Sequence, residues 1–223
     1  MLDYRRMESA PLAPEEFDQH LANKTLRLSF VGMANCGKSY RSRTLTEEKD
    51  FLWYQVDDDI ARALGLADVH EVATWMGYPA SSSYPEREQR YLELEGQFTS
   101  QAAMSSHGKN LVFDTTGSVI HLASSALEAL SAHTLVVHLD VGDNSLEELL
   151  QRFFKHPKPV AWSGFWSQEP GESAEEAIRR SYPALLKERL ARYRALAHLT
   201  ISAHELRDRS GLETLAIIRE KLK

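Results

Sequence analysis

The stretch Leu26–Tyr40, which reads LRLSFVGMANCGKSY, decides the fold. Its apolar beginning predicts a strand, and the residues from Gly32 to Ser39 then follow the spacing Gly-x-x-x-x-Gly-Lys-Ser. Glycines at these positions let backbone N–H groups point at phosphate oxygens. Lys38 adds a positive charge at the outer phosphates, and Ser39 offers a hydroxyl to Mg²⁺. Together with the positive end of the helix that follows, the stretch predicts a phosphate-binding P-loop.

The nucleotide contacts follow directly from this loop. A chance match to a glycine-containing turn is the alternative, but a strand-like run comes before the loop and a helix-compatible segment after it. The Cys36 side chain is expected to point away from the phosphates. We predict contacts to ATP from Gly32, Ala34, Asn35, Cys36, Gly37, Lys38, Ser39 and Tyr40.

Composition excludes several classes of function. The chain has 223 residues, of which 43% are hydrophobic, so one good core can form. A formal net charge of −6 predicts neither nucleic acid nor an anionic membrane surface as a partner. The single cysteine forbids an internal disulfide and a cysteine-rich zinc site, which fits a cytoplasmic protein. No run approaches the ~18 apolar residues of a membrane span, and the first residues lack the apolar core of a secretory signal.

Short apolar segments alternate with helical ones along the chain. This alternation predicts a single α/β domain over residues 25–223, with a five-stranded parallel sheet and helices on both of its faces. Residues 1–24, interrupted by Pro11 and Pro14, are expected to be an N-terminal extension. The predicted strands are Arg27–Val31, Phe51–Val56, Asn110–Asp114, Thr134–Leu139 and Leu199–Ser202.

Acidic residues follow two of these strands. Three aspartates, residues 57–59, come directly after the second strand, and Asp114 ends the third. Ligands of parallel sheets bind beyond the carboxyl ends of the strands, so these carboxylates should lie near the P-loop. A carboxylate there can hold Mg²⁺ or take a proton from a substrate hydroxyl. The alternative is a structural role, because aspartate also caps helices and starts turns.

A segment that carries cations precedes the last long helix. Arg152 lies just before the stretch KHPKPVAWSGFW, and Lys158 lies within it. Such a segment is typical of a lid, here about residues 152–171, that closes over the nucleotide and adds positive charge to the transferring phosphoryl group. The alternative is a surface loop whose aromatic residues pack locally. On the long helix, Arg189 either binds a substrate anion or lies solvated on a charged surface.

Four stretches together resemble shikimate kinase, a member of the nucleoside-monophosphate-kinase-like P-loop family. They are VGMANCGKS, VDDDIARALG, LVFDTTGSV and ERLARYRALAHLTI, and the resemblance covers about residues 26–222. In that family an arginine four residues before a tyrosine binds the substrate carboxylate, and Arg189 precedes Tyr193 in this way. Lys158-Pro159 resembles the Arg-Pro of the family's lid.

Two departures concern the acceptor side. Residues 115–117 are Thr-Thr-Gly where the family has three glycines, so threonines would crowd the acceptor or offer it hydroxyls. The family's second carboxylate-binding arginine has no counterpart, because Pro85 falls at its position and Arg87 and Arg90 are displaced candidates. The resemblance thus implies substrate contacts from Asp59, Arg87, Arg90, Thr116, Gly117 and Arg189.

These observations lead to the hypothesis of an ATP-dependent small-molecule kinase, monomeric or weakly dimeric, that uses Mg²⁺ and phosphorylates a hydroxyl. Ser39 with Asp57 or Asp114 would position Mg²⁺, while Asp59 would orient or deprotonate the hydroxyl. The catalytic residues would be Lys38, Asp59, Lys158 and Arg152. Shikimate, another hydroxylated acid, a sugar and a nucleoside remain alternative acceptors, and a nucleotide-binding module without phosphotransfer is the alternative of another class.

Overall fold

The computed structural model describes residues 12–105, 108–142, 145–155 and 158–222; the side chains of Leu146 and Arg152 lie outside this description. Its centre is a parallel sheet in the strand order β2-β3-β1-β4-β5. This arrangement confirms the predicted α/β sheet. The strands are β1 Arg27–Val31, β2 Leu52–Gln55, β3 Leu111–Asp114, β4 Leu135–Asp140 and β5 Leu199–Ser202.

Helices cover both faces of the sheet. They form two groups, and helices within each group contact one another. The last helix of the described chain packs against both the first helix and the helix after the P-loop, whereas the intervening helices pack on one another and on β4. None of the helices in the described ranges has the length and apolarity that crossing a bilayer requires. The helices are α1 Pro14–Ala22, α2 Lys38–Lys49, α3 Val56–Leu64, α4 Val69–Met76, α5 Tyr84–Met104, α6 Ser124–His133, α7 Leu146–Lys155, α8 Ala174–Leu196 and α9 Gly211–Glu220, with a short 3₁₀ turn at Val119–His121.

The central strands are buried on both faces, as their continuous apolar sequences require. Leu28 and Phe30 of β1 and Val136 and Val137 of β4 have no exposed surface. Each buried side chain of this kind contributes about 1.5–3 kcal/mol of hydrophobic free energy relative to an exposed one. The sheet is therefore a rigid platform, and its carboxyl edge holds the P-loop and the acidic strand ends in fixed positions.

The second strand differs from its predicted extent. It ends at Gln55 rather than at residue 56, and α3 begins at once, so the three aspartates occupy the first turn of a helix. Carboxylates at this end are favoured by the helix dipole, which explains the early start of the helix. One consequence is that successive aspartates point in directions about 100° apart around the helix, so they cannot all face one site.

The described part of the N-terminal extension packs on the domain. Phe17 of α1 is buried, and Asp18 accepts hydrogen bonds of 2.7–2.9 Å from Arg219 of α9. Residues 1–11 lie outside the described part of the chain, so the boundary at residue 24 stays a prediction.

Candidate active site at the carboxyl edge of the sheet

The P-loop turns sharply at Gly32 after β1. Gly32 has φ 146°, and a Cβ atom there would lie 2.9 Å from the carbonyl oxygen of Leu139. Only glycine fits both the conformation and the space. Lys38 begins α2 and is 7% exposed, and its Nζ donates to the carbonyl oxygens of Gly32 and Met33 at 2.8 and 2.9 Å. The loop thus holds a buried ammonium group at the N-terminus of a helix, which is the arrangement of an anion site.

Ser39 and Asp114 meet beside this loop. The Ser39 hydroxyl donates to Asp114 Oδ2 at 2.5 Å, and Trp53 Nε1 of β2 donates to Asp114 Oδ1 at 2.6 Å. Within the described residues no cluster of three or more His, Cys, Asp or Glu side chains can hold a metal ion. The pair still fits Mg²⁺, since this ion prefers oxygen ligands and is usually held by one or two carboxylates, waters and the phosphates of a bound nucleotide.

A long cleft runs from the P-loop toward the ends of β4 and β5. Its near end is lined by Asn35, Cys36, Gly37 and Tyr40, four of the residues for which nucleotide contacts are predicted. The far end is formed by residues at the ends of the two strands and just after them, namely Leu139, Val141, Ser202, Ala203 and His204. The cleft therefore extends from the anion site over a surface of mixed polarity, where the rest of a nucleotide can lie.

A second pocket opens on the other side of the P-loop, and Arg189 lies at its inner end. Arg189 is 3% exposed, and its Nη2 donates to the carbonyl oxygen of Ala161 at 2.8 Å. Its Nε has no hydrogen-bond partner among the described residues. A buried guanidinium group with an unpaired donor is suited to bind a carboxylate or phosphate. The pocket is lined by Met33, Ala34, Asn35, Asp57, Val69, Tyr91, Thr116, Gly117, Leu149, Phe153, Lys158, Pro159, Val160, Tyr182, Leu186 and Arg189.

Gly117 lies between this guanidinium group and the P-loop. A Cβ atom at Gly117 would come within 3.4 Å of Arg189 Nη1 and 3.5 Å of the backbone nitrogen of Ala34. The carbonyl oxygen of Gly117 accepts a hydrogen bond of 2.5 Å from the Tyr193 hydroxyl. Tyr193 therefore holds the loop that separates the two pockets.

The threonines before Gly117 turn their hydroxyls into the protein. Thr115 donates to the carbonyl oxygen of Phe30 at 3.0 Å, and Thr116 donates to the fully buried carboxylate of Glu95. Ser118 donates to the other oxygen of Glu95 at 2.6 Å. Burial raises the pKa of Glu95 to about 7, and the two hydroxyl donors oppose that rise. The threonines are expected from the sequence either to crowd a substrate or to offer it hydroxyls. Because both hydroxyls are engaged within the protein, this arrangement does not favour the second effect.

Asp57 and Lys158 complete the boundary between the pockets. Asp57 lies in the first turn of α3 and lines both the Arg189 pocket and a further pocket around Lys38, Ser39 and Asp114. Burial raises the pKa of Asp57, and the nearby Lys158 ammonium group opposes that rise. The predicted lid cation Lys158 is thus close to the acidic tip of α3.

Three predicted substrate residues lie elsewhere. Asp59 pairs with Arg62 and accepts a hydrogen bond from Tyr54, and it lines neither pocket. Asp59 lies two residues after Asp57 in the helix, so its side chain points about 200° away from that of Asp57 around the helix axis. Asp57, not Asp59, is the aspartate that faces the site.

The displaced arginines of α5 also lie outside the pockets. Arg87 donates to the carbonyl oxygen of Trp75 and stacks over its ring, whereas Arg90 is paired at 3.6 Å with Glu93 on the helix surface. Because Pro85 stands at the position of the family's second arginine, α5 places no arginine toward Arg189 there. A second arginine contact to a substrate is therefore not supported at Arg87 or Arg90. The side chain of Arg152 lies outside the described residues, so its lid role stays a prediction.

Several site residues were missed by sequence reasoning. Trp53 orients Asp114 across the β2–β3 pairing, while Tyr91 and Glu95 form part of the buried face of α5. The spacing of four between Tyr91 and Glu95 puts both on one helical face, and a glutamate on an otherwise apolar face was the available signal. The aromatic side chains Phe153 and Tyr182 reach the pocket from α7 and α8, and no local motif marks them.

Comparison with solved structures finds shikimate kinases. The enzyme from Acinetobacter baumannii, solved in complex with shikimate, has 25% sequence identity and a TM-score of 0.61, with 91% of this chain and 98% of that chain covered. The enzyme from Bacteroides thetaiotaomicron has 19% identity and a TM-score of 0.58, with 87% and 97% covered. The Aquifex aeolicus enzyme has 16% identity and a TM-score of 0.52, with 88% and 96% covered.

Sequence comparison alone does not reach this result. No protein-family model and no curated protein sequence matches the chain. The structural similarity nevertheless extends over nearly the whole of each solved chain. This chain has the shikimate-kinase-like P-loop fold, a fold of small-molecule kinases.

Proposed function

We propose that this protein is an ATP-dependent kinase that transfers a phosphoryl group to a hydroxyl of a small anionic molecule. One observation carries the proposal: the pocket around Lys38, Ser39 and Asp114 and the Arg189 pocket share a wall. Phosphate and acceptor bound on the two sides of this wall would be neighbours, as in-line transfer requires. The shared residues are Ala34, Asn35, Asp57, Thr116, Gly117 and Lys158.

The donor roles are assigned to the P-loop side. The P-loop amides and Lys38 bind the phosphates, since a buried ammonium group at a helix N-terminus attracts them. Ser39 and Asp114 supply oxygen ligands to Mg²⁺, directly or through water, and Trp53 holds Asp114 in place. Bound there, Mg²⁺ would neutralise charge on the phosphates.

The acceptor roles are assigned to three residues around the second pocket. Arg189 binds the anionic group of the substrate at the inner end. Asp57 orients the hydroxyl and accepts its proton, in place of Asp59, because Asp57 borders both pockets. Lys158 approaches from the lid and adds positive charge where the phosphoryl group passes. Shikimate, which the Acinetobacter enzyme binds, is one candidate acceptor of this class.

The direct test combines nucleotide binding with turnover. Isothermal titration of Mg-ATP into the Lys38→Ala variant should show an affinity at least about a hundredfold lower than in the unchanged protein. Lys187→Ala, which removes an exposed lysine of α8, is the matched control and should bind Mg-ATP normally. Equal affinity in both variants would refute the P-loop assignment, and normal Mg-ATP binding without ADP release across hydroxylated acids, sugars and nucleosides would refute the kinase.

A further inference from the structure

The wall of the second pocket opposite the P-loop is apolar. The rings of Phe153 and Tyr182 stack with centroids 4.8 Å apart, and they join helices α7 and α8 over the pocket. The other apolar side chains lining this pocket are Met33, Val69, Leu149, Pro159, Val160 and Leu186. An apolar part of a substrate that lies against this wall would exchange water for hydrocarbon and aromatic surface.

Several hydroxyl groups beside this pocket are already engaged within the protein. The hydroxyl groups of Thr116 and Ser118 donate to Glu95, and the Tyr91 hydroxyl is hydrogen-bonded with the same two residues. Thr115 is bonded to the strand backbone. A substrate hydroxyl placed against these groups would lose its water without gaining a partner of equal strength.

Positive charge is concentrated at two points. Arg189 lies at the inner end of the pocket, and Lys158 lies at the boundary with the P-loop beside Asp57. Arg87 and Arg90, the two arginines predicted to add a second anchor, are held elsewhere on α5. The pocket therefore provides one deep anion anchor and one place for a reacting hydroxyl.

We propose that the acceptor is a monoanionic compound with a single hydroxyl on a largely apolar body, rather than a polyhydroxylated ring. The inference rests on the proposed function, since it describes the acceptor of the same site. The anionic group binds Arg189, the hydroxyl faces Asp57, and the apolar body lies against Phe153 and Tyr182. Each further hydroxyl weakens binding by about tenfold, because it is desolvated without a free partner.

The test compares two acids of the same ring size by isothermal titration, with and without bound Mg-ADP. Shikimate carries three hydroxyls, whereas the isomers of monohydroxylated cyclohexanecarboxylate carry one. We expect the best monohydroxylated isomer to bind at least about tenfold more tightly than shikimate. Its neutral carboxamide should bind at least about tenfold more weakly than the acid, since it lacks the charge that Arg189 binds.

Two near-isosteric variants test whether the pocket is the source of the preference for the monohydroxylated acid. Val69→Thr puts a hydroxyl on the apolar wall at the partly exposed start of α4, so it should narrow the affinity ratio between the two acids. Val141→Thr makes the same change in the long nucleotide cleft and should leave that ratio unchanged. Circular dichroism of both variants checks that each is folded.

The outcomes separate this inference from the proposed function. Tighter binding of shikimate, equal binding of the two acids, or binding of neither would overturn the inference, even if Mg-ATP binds normally. Failure of Mg-ATP to bind would instead overturn the proposed function, and the titrations without nucleotide would still decide the preference of the pocket. An unchanged affinity ratio in Val69→Thr would also contradict the proposed orientation.

Discussion

The two sides of the site are built in different ways. The P-loop side is made by one contiguous loop whose backbone and single lysine are proposed to bind phosphate, with Asp114 delivered by the adjacent strand. The Arg189 side is assembled from side chains of five helices and the lid segment. Backbone binding depends on conformation, whereas a side-chain pocket changes with each substitution. A chain can therefore keep the donor side of this fold while its acceptor side becomes specific for another molecule.

The two sides of the site share one loop, and its hydrogen bonds show how the sides differ. Residues 115–118 are held by hydrogen bonds to the β1 backbone, to Glu95 and to Tyr193. Where the resembling family has glycines, this chain has threonines that fasten the loop from behind. These hydrogen bonds fix the loop, and they involve residues on the acceptor side. Substitutions of those residues should therefore alter acceptor binding more than nucleotide binding.

Replacing Arg189 should give the largest separation of the two sides. Arg189→Gln should weaken binding of a monohydroxylated cyclohexanecarboxylate by about a hundredfold to a thousandfold, because the anion loses its buried charged partner. Mg-ATP affinity should change less than about threefold. Isothermal titration measures both, and Arg192→Gln on the same helix is the control. Equal losses for acid and nucleotide would show that the sides are not separate.

The pH dependence of folding should report on Glu95. Its folded-state pKa of about 7 lies above the ordinary value of 4.5, so the native state keeps a proton that the unfolded chain has released. The associated stability is complete below pH 4.5, declines as the pH rises, and is lost once the pH has passed about 7. Relative to Glu95→Gln, the protein should lose about 2–3 kcal/mol of unfolding free energy across this window.

Urea denaturation at several pH values measures this difference. Glu93→Gln changes an exposed glutamate of the same helix, so its unfolding free energy should run parallel to that of the unchanged protein. A constant difference between Glu95→Gln and the unchanged protein from pH 4.5 to 7.5 would mean that Glu95 is ionised throughout, and that its hydroxyl partners outweigh burial.

Removal of the Trp53 hydrogen bond should have a smaller effect on the donor side. Trp53→Phe leaves Asp114 without the partner that orients one of its oxygens, so the Mg²⁺ dependence of turnover should shift by about tenfold to higher concentration. Acceptor affinity should stay unchanged. Trp166→Phe, in the lid segment, is the matched control, and an equal shift in that variant would contradict a specific role for Trp53.

The sequence predicts the donor side from signals that are local. Two of these signals do not depend on exact element boundaries. They are the spacing from Gly32 to Ser39 and the position of Asp114 at the end of an apolar strand. The acceptor side depends on directions that spacing leaves open. The exact start of α3 decides which of the three aspartates faces the pocket, and Glu95, the partner of Thr116, lies on another element, α5.

The smallest effect is expected where the resemblance was misleading. Arg87→Ala should change acceptor affinity by less than about twofold, because this guanidinium group is bonded to the Trp75 carbonyl rather than directed at the pocket. Its loss should instead lower the free energy of unfolding by about 1 kcal/mol, through the lost hydrogen bond and ring contact. Titration of the acid and urea denaturation give the two quantities. A tenfold loss of acceptor affinity would mean that Arg87 moves to the pocket when substrate binds, and the acceptor side would then have two anion anchors instead of one.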